Sequence, residues 1–217
     1  MLKVKDTRID KYLQPLENPY VKTDVAMTPG ETGVTVSYQL TPDTTSRFLS
    51  ELGVAFLLDN CLDRVQWIGQ GPFPSYPGRR QANRYGFWAK HKDDLYFEGN
   101  RMDVDAAYVS DSHGNGLLIV GDSLNLNFEQ TDRGIVLTVN AAVSGQGPKF
   151  SRTAFPVVSK DVGTLTGHFR IYRINGYDGA SSLRNLLMSP SDIPSPFHPF
   201  EKQYDTYLMR FDEVFGQ

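Results

Sequence analysis

Two short runs in this chain carry side chains of the types that grip a hydroxyl-rich ligand. The first, residues 65–80, reads Val-Gln-Trp-Ile-Gly-Gln-Gly-Pro-Phe-Pro-Ser-Tyr-Pro-Gly-Arg-Arg. An apolar stretch ends there in two glycines and a proline, which permit a sharp irregular loop, and that loop presents Tyr76 and Arg79. The second, residues 96–104, reads Tyr-Phe-Glu-Gly-Asn-Arg-Met-Asp-Val and supplies Glu98, Asn100 and Arg101. An aromatic face packs against apolar C–H surface, while carboxylate, amide and guanidinium groups pair with hydroxyls. A plainer reading stands beside this one: Arg79, Glu98 and Arg101 form an ion-pair cluster that holds two loops together.

Other chemistries find less support. Glycoside hydrolysis needs two carboxyls flanking the bond; Asp93, Asp94, Glu98, Asp103 and Asp105 place carboxylates in one region, but nothing in their spacing singles out a pair. The histidines are scattered at 91, 113, 168 and 198: His113 falls in a predicted turn, His198 in a proline-rich stretch, and His168 opens a strand on the same face as Arg170 and Tyr172. There is no Gly-rich phosphate loop and no Gly-x-Ser-x-Gly elbow. Cys61 is the single cysteine, so an internal disulfide and a Cys-based zinc site are both excluded. No catalytic residue, metal or cofactor is assigned within this chain.

The elements that must position these loops read as strands. Val34, Val36, Tyr38 and Leu40 alternate with Thr35, Ser37 and Gln39, the period of a half-buried strand. Further strands are expected at 54–58, 65–68, 102–109, 117–120, 124–128, 135–139 and 169–174, with turns at 41–43, 113–116 and 132–134. Strands this closely spaced, with almost no helical periodicity between residues 30 and 175, predict an all-β antiparallel sandwich. One helix is expected at 45–52, where Phe48, Leu49 and Leu52 share a face before Gly53. Trp67, inside an apolar strand, reads as core rather than ligand-facing, and Trp88 fits either role.

Composition changes after Asn175. Ser182 followed by Leu183 to Met188 predicts a short helix, the four prolines of residues 189–199 define a linker, and Tyr204, Tyr207, Leu208, Phe211 and Phe215 fall at helical spacing. Division into a lead-in (1–24), a β-sandwich (25–175) and a tail (176–217) follows. The 217 residues are 40% hydrophobic and 22% charged, with a formal charge of −3. That balance predicts a soluble globular chain, and without a basic run or a ~20-residue apolar stretch it predicts no nucleic-acid and no membrane partner. Residues 1–10 lack the apolar core of a signal peptide, and the compartment stays open, a periplasmic enzyme included.

The run at 65–80 resembles the Trp-x-Gly-x-Gly-Pro-x-Glu-Asn-Tyr-x-Asp-Arg signature of the small-chain domain of family 2 β-galactosidases. Trp67, Gly69, Gly71, Pro72, Tyr76 and Arg79 match it, while Pro74, Ser75 and Gly78 stand where the signature has Glu, Asn and Asp. The run at 96–104 is similar to the family's Glu-Asn-Gly-Asn-Arg-x-Asp-Val, one residue shorter. The resemblance covers residues 25–175. It implies a β-supersandwich similar to galactose mutarotase, forming one domain of a larger glycosidase whose catalytic carboxylates lie in a separate barrel. It also implies carbohydrate contact by Tyr76, Arg79, Glu98, Asn100 and Arg101. In the family a late-loop Trp stacks on the sugar; here that loop reads Ser144 to Phe150, and Phe150 is the nearest aromatic. The implied partners are a galactoside-like carbohydrate and the other domains of the enzyme. The alternatives are a free-standing carbohydrate-binding module and an aldose 1-epimerase-like enzyme, the latter weakened because no His stands at the mutarotase spacing.

Overall fold

Residues 33–42 show why this chain builds sheet. Val36 and Leu40 are fully buried, Val34 and Tyr38 pack against the core beside them, and the alternating Ser37 is exposed. One apolar face therefore commits the segment to strand and fixes its register, because a slip by one residue would turn that face to water. The computed structural model describes residues 3–5, 20–31, 33–46, 48–80, 82–95, 99–145 and 155–176.

In chain order the strands are β1 (Lys3–Lys5), β2 (Val21–Pro29), β3 (Gly33–Pro42), β4 (Phe48–Leu49), β5 (Glu51–Leu57) and β6 (Arg64–Gly71). They continue as β7 (Arg84–His91), β8 (Asn100–Ser110), β9 (Gly116–Thr131), β10 (Gly134–Val143), β11 (Val157–Val158) and β12 (Leu165–Ile174). A 3₁₀ turn at Lys92–Asp94 and the one-turn helix α1 (Ser159–Val162) are the helical elements among the described residues. All strand pairings are antiparallel. The main sheet runs β1-β5-β10-β9-β12-β3-β2, with β8, β6 and β7 branching from β9, while β4 and β11 form a separate pair.

The 16-residue β9 turns this sheet into two layers. Its first residues pair with β12 and its last with β10. Between them Ser123 adopts a left-handed φ of 51°, and the pairing with β8 shifts register around Val104. Such irregularities bend a strand. The two halves of the sheet consequently face each other: Phe56 on β5 meets Phe169 on β12 edge-on at 5.9 Å although two strands separate them in the sheet. Trp67, Leu126, Phe128, Leu137 and Phe169 form the core between the layers.

The all-β, antiparallel expectation holds, and so do the apolar strand faces. The helix expected at 45–52 does not form. Phe48–Leu49 pairs with β11, and Glu51–Leu57 lies between β1 and β10. There Leu52 and Val54 bury themselves by the strand's period of two, and pairing on both sides overrides a weak helical spacing. The strands expected at 117–120 and 124–128 are one strand bent at its middle. Strands β2 and β7 had no clear signal because each lies at an edge of the sheet with only a weakly buried face. The helices expected at 183–188 and 201–215, and the linker between them, lie outside the described residues.

Candidate functional site

The loop after β6 is built by its own glycines and prolines. Gly69 has φ +155°, and a Cβ at Gly71 would lie 2.5 Å from the indole of Trp88, whose Nε1 donates to the Gly69 carbonyl at 3.1 Å. Bare backbone there lets an aromatic ring lie flat against the strand. Beyond Pro72 the chain closes a tight turn, in which the Tyr76 N–H donates to the Arg79 carbonyl at 3.2 Å and the Arg79 N–H to the Tyr76 carbonyl at 2.8 Å. Gly78 supplies the positive φ of 78° that the turn requires.

This loop is riveted to the start of β8. The Ser75 N–H donates to the Asn100 carbonyl at 2.8 Å, and Asn100 Nδ2 donates back to the Ser75 carbonyl at 2.9 Å. The Met102 N–H donates to Ser75 Oγ at 2.8 Å, and the Asn100 N–H to the Tyr76 hydroxyl at 3.4 Å. The two runs therefore meet, and Tyr76, Arg79, Asn100 and Arg101 gather at one loop cluster. Tyr76 and Asn100 are 0% exposed and Arg101 is 2% exposed, whereas Arg79 stands in solvent. Glu98 and Phe150 lie outside the described residues.

Arg101 points inward, with its guanidinium 5.0 Å over the ring of Trp67. Its Nη1 donates to the carbonyls of Gly99 at 2.7 Å and Asn100 at 3.2 Å. Burial lowers its pKa to about 10, offset in part by Tyr76, so it remains a cation at neutral pH. The cation–π contact and the carbonyls take the place of hydration. Trp67 is 1% exposed, which places it in the core as its strand context predicts.

Two aromatic side chains stand in solvent at this cluster. Phe73 is 55% exposed, with its backbone N–H held by Asn83 Oδ1 at 2.9 Å. Phe155 is 62% exposed with φ 63°, unusual for a bulky residue, and its ring lies where a Cβ at Gly78 would come within 3.0 Å. Phe155 is tied to the end of β10 through its carbonyl, which accepts from the Gly145 N–H at 3.1 Å.

Comparison with known proteins places this architecture. The family model described as "Beta galactosidase small chain" matches residues 3–164. The chain belongs to the β-galactosidase small chain family. A "Beta-galactosidase" of Oenococcus oeni is 39% identical over 49 residues, a match that takes in 23% of this chain and 5% of that relative's length.

Within this small chain domain, several further residues support the cluster, Asp103 and Asp105 among them, which stand out in the sequence only as carboxylates without a pair. Arg80 Nη1 donates to Asp103 Oδ2 at 2.9 Å, and Ser123 Oγ donates to Asp103 Oδ1 at 3.1 Å, so Asp103, itself at φ 54°, ties the loop to the bend of β9. Asp105, two residues on, is half-buried and accepts from the Tyr85 hydroxyl. Burial pushes its pKa up to about 6, helped by Asp122 and opposed by the Ser123 N–H. Ser75 was legible only as a departure from the family signature. An open groove of about 790 Å³ lies elsewhere, lined by Thr23, Asp24, Tyr38, Gln39 and His168 of β2, β3 and β12. Among the described residues no three His, Cys, Asp or Glu side chains cluster in a way that would hold a metal, and no helix is long and apolar enough to cross a membrane.

Proposed function

We propose that this chain is an accessory domain of a β-galactosidase, shaping the sugar pocket of a larger enzyme and not catalytic by itself. The observation that carries this reading is membership of the small chain family across residues 3–164, with the loop of 72–80 held to β8 by paired hydrogen bonds. The described residues around that loop offer what a pyranose ring needs: aromatic faces at Phe73 and Phe155, and a guanidinium at Arg79. Tyr76, Asn100 and Arg101, with Glu98 and Phe150, complete the proposed carbohydrate-facing set; the three buried members act by fixing the shape of the rim. The sandwich is of the supersandwich type seen in galactose mutarotase and spans 25–175, between a lead-in and a tail. The partners in this reading are a galactoside and the enzyme's remaining domains.

The test is hydrolysis of an aryl β-galactoside by the purified chain, alone and mixed with a family 2 β-galactosidase lacking its small chain domain. No turnover alone, activity on mixing, and a drop of about tenfold or more in kcat/KM with Arg79→Ala are expected. Turnover by the chain alone that a single Asp or Glu substitution within it abolishes would overturn the accessory role. Binding of galactosides by the chain with no effect on any truncated enzyme would make it a free-standing binding module instead.

A further inference from the structure

The part of the sheet formed by β7, β6, β8, β9 and β12 is apolar on both faces. On one, Trp67, Ala107 and Ile119 stand in the core between the layers. On the other, directly paired positions align Phe87, Ile68, Ala106 and Val120 in one row, and Tyr108, Leu118 and Tyr172 in the next. These residues form a second apolar cluster, and all of its members come from strands of this one sheet. A sheet face that meets water carries polar side chains at such positions, as Ser37 and Gln39 do on β3.

This outer face is nevertheless deeply buried. Ile68, Ala106 and Leu118 are each 1% exposed and Tyr108 is 0% exposed, although no described strand packs over them. Burial is deepest on β6, β8 and the start of β9. It falls away to Tyr85 and Phe87 on β7 and to Ile174 on β12, which are only partly buried. Gln66, Phe87, Tyr108 and Tyr172 also take part in further interactions beyond those among the paired strands. The cover is therefore narrow, about three strands wide, and lies across the middle of the face.

The chain itself leaves from the edge of this face. β12 ends at Ile174, and the Gly176 N–H donates to Asn115 Oδ1 at 3.0 Å, in the turn that joins β8 to β9. A Cβ at Gly176 would lie 1.9 Å from the His113 carbonyl, so bare backbone is pressed onto that turn. Leu118 is two residues into β9, about 7 Å away along the strand. The next apolar run, Leu183 to Met188, follows after residues 177–182, a span that reaches at most ~20 Å. There Leu183, Leu186 and Leu187 recur at the i, i+3, i+4 spacing of one helical face, with Arg184 and Asn185 between them. Six helical residues extend ~9 Å, which matches two strand spacings of ~4.8 Å each. The aromatic stripe that starts at Tyr204 lies much further along, beyond four prolines.

We propose that residues 183–188 cover this face, with Leu183, Leu186 and Leu187 packed on Ile68, Ala106 and Leu118 as a third layer of the domain. The length and placement of the run fit the narrow zone of deepest burial, and the cover comes from the same chain rather than from a second copy or another domain.

The experiment is amide hydrogen exchange on the full chain. Residues 183–188 are expected to exchange at least about tenfold more slowly than an unstructured chain. The proposal is overturned if they exchange at the unstructured rate, whether the cover then proves to be 201–215, protected in their place, or a second copy, seen as a dimer in sedimentation. Leu186→Glu combined with Leu187→Glu should return 183–188 to the unstructured rate and raise binding of a hydrophobic dye several-fold, while the amides of β8 and β9 stay protected. Protection that survives both substitutions would mean that the run is ordered without the face, and it too overturns the proposal. Should that pair unfold the sheet as well, Leu186→Ala alone is expected to speed exchange of 183–188 by about threefold or more, and no change there counts against the proposal in the same way.

Discussion

Asp105 shows how one buried carboxyl makes stability depend on pH. Its folded pKa of about 6 lies above the ~3.9 of an unfolded aspartate, so the folded chain holds this proton more tightly. The contribution is therefore full below about pH 4, drains away as pH rises toward about 6, and is gone above it. Asp105→Asn keeps an acceptor for the Tyr85 hydroxyl but carries no charge. Its stability should overtake the wild type's across that window and remain higher at pH 7 to 8, by about 1 kcal/mol once solvent screening of a half-exposed group is allowed for. Melting curves from pH 4 to 8 check this; parallel profiles for the two proteins would show that Asp105 titrates normally. A different lesson comes from Arg101 and Asn100, adjacent residues that serve opposite faces of the sheet. The guanidinium is stacked on Trp67 inside the sandwich and the amide is bonded to Ser75 and Asn140. Residue type named both as polar contacts, but the strand's alternation decided where each one points.

At the scale of the element, β3 is the plainest case of pattern becoming structure. Val36 is fully buried against Phe169 on β12, while Ser37 beside it is exposed. Val36→Asp should therefore cost several kcal/mol by burying an unpaired charge, and Ser37→Asp should change stability by less than about 0.5 kcal/mol. Urea denaturation of both variants tests the register, and equal losses would show it to be wrong. Elements without one wet face are harder to read. β10 is buried on both faces, so Ile135 to Asn140 show no alternation of exposure although apolar and polar groups go to different sides. The stretch at the end of β4 and the start of β5 misleads in a similar way, since Phe48, Leu49 and Leu52 can be fitted to a helical stripe as readily as to strand positions.

For the whole molecule, the layering predicts a gradient of opening. β10 lies between β5 and β9 with both faces enclosed, whereas β2 pairs only with β3 and is largely exposed. Amide hydrogen exchange should be slowest at 135–140 and faster by orders of magnitude along 24–29, because edge strands open locally while central ones exchange only on global unfolding. Uniform protection of the two would contradict this arrangement. The class of fold, the apolar face of β3, the core position of Trp67 and the kinship with β-galactosidase small chains were all determined by sequence alone. Period-two patterning and a glycine-proline signature are local properties, written wherever a strand has one wet face or a loop needs bare backbone. Which polar residues meet was not written locally. The bend of β9, the pairing that replaced the helix at 45–52, the bonding of Ser75 to Asn100, and the second apolar cluster on β6, β8 and β9 were decided by tertiary structure. They join strands far apart in the chain, and their register is set only when the two layers close on a common core.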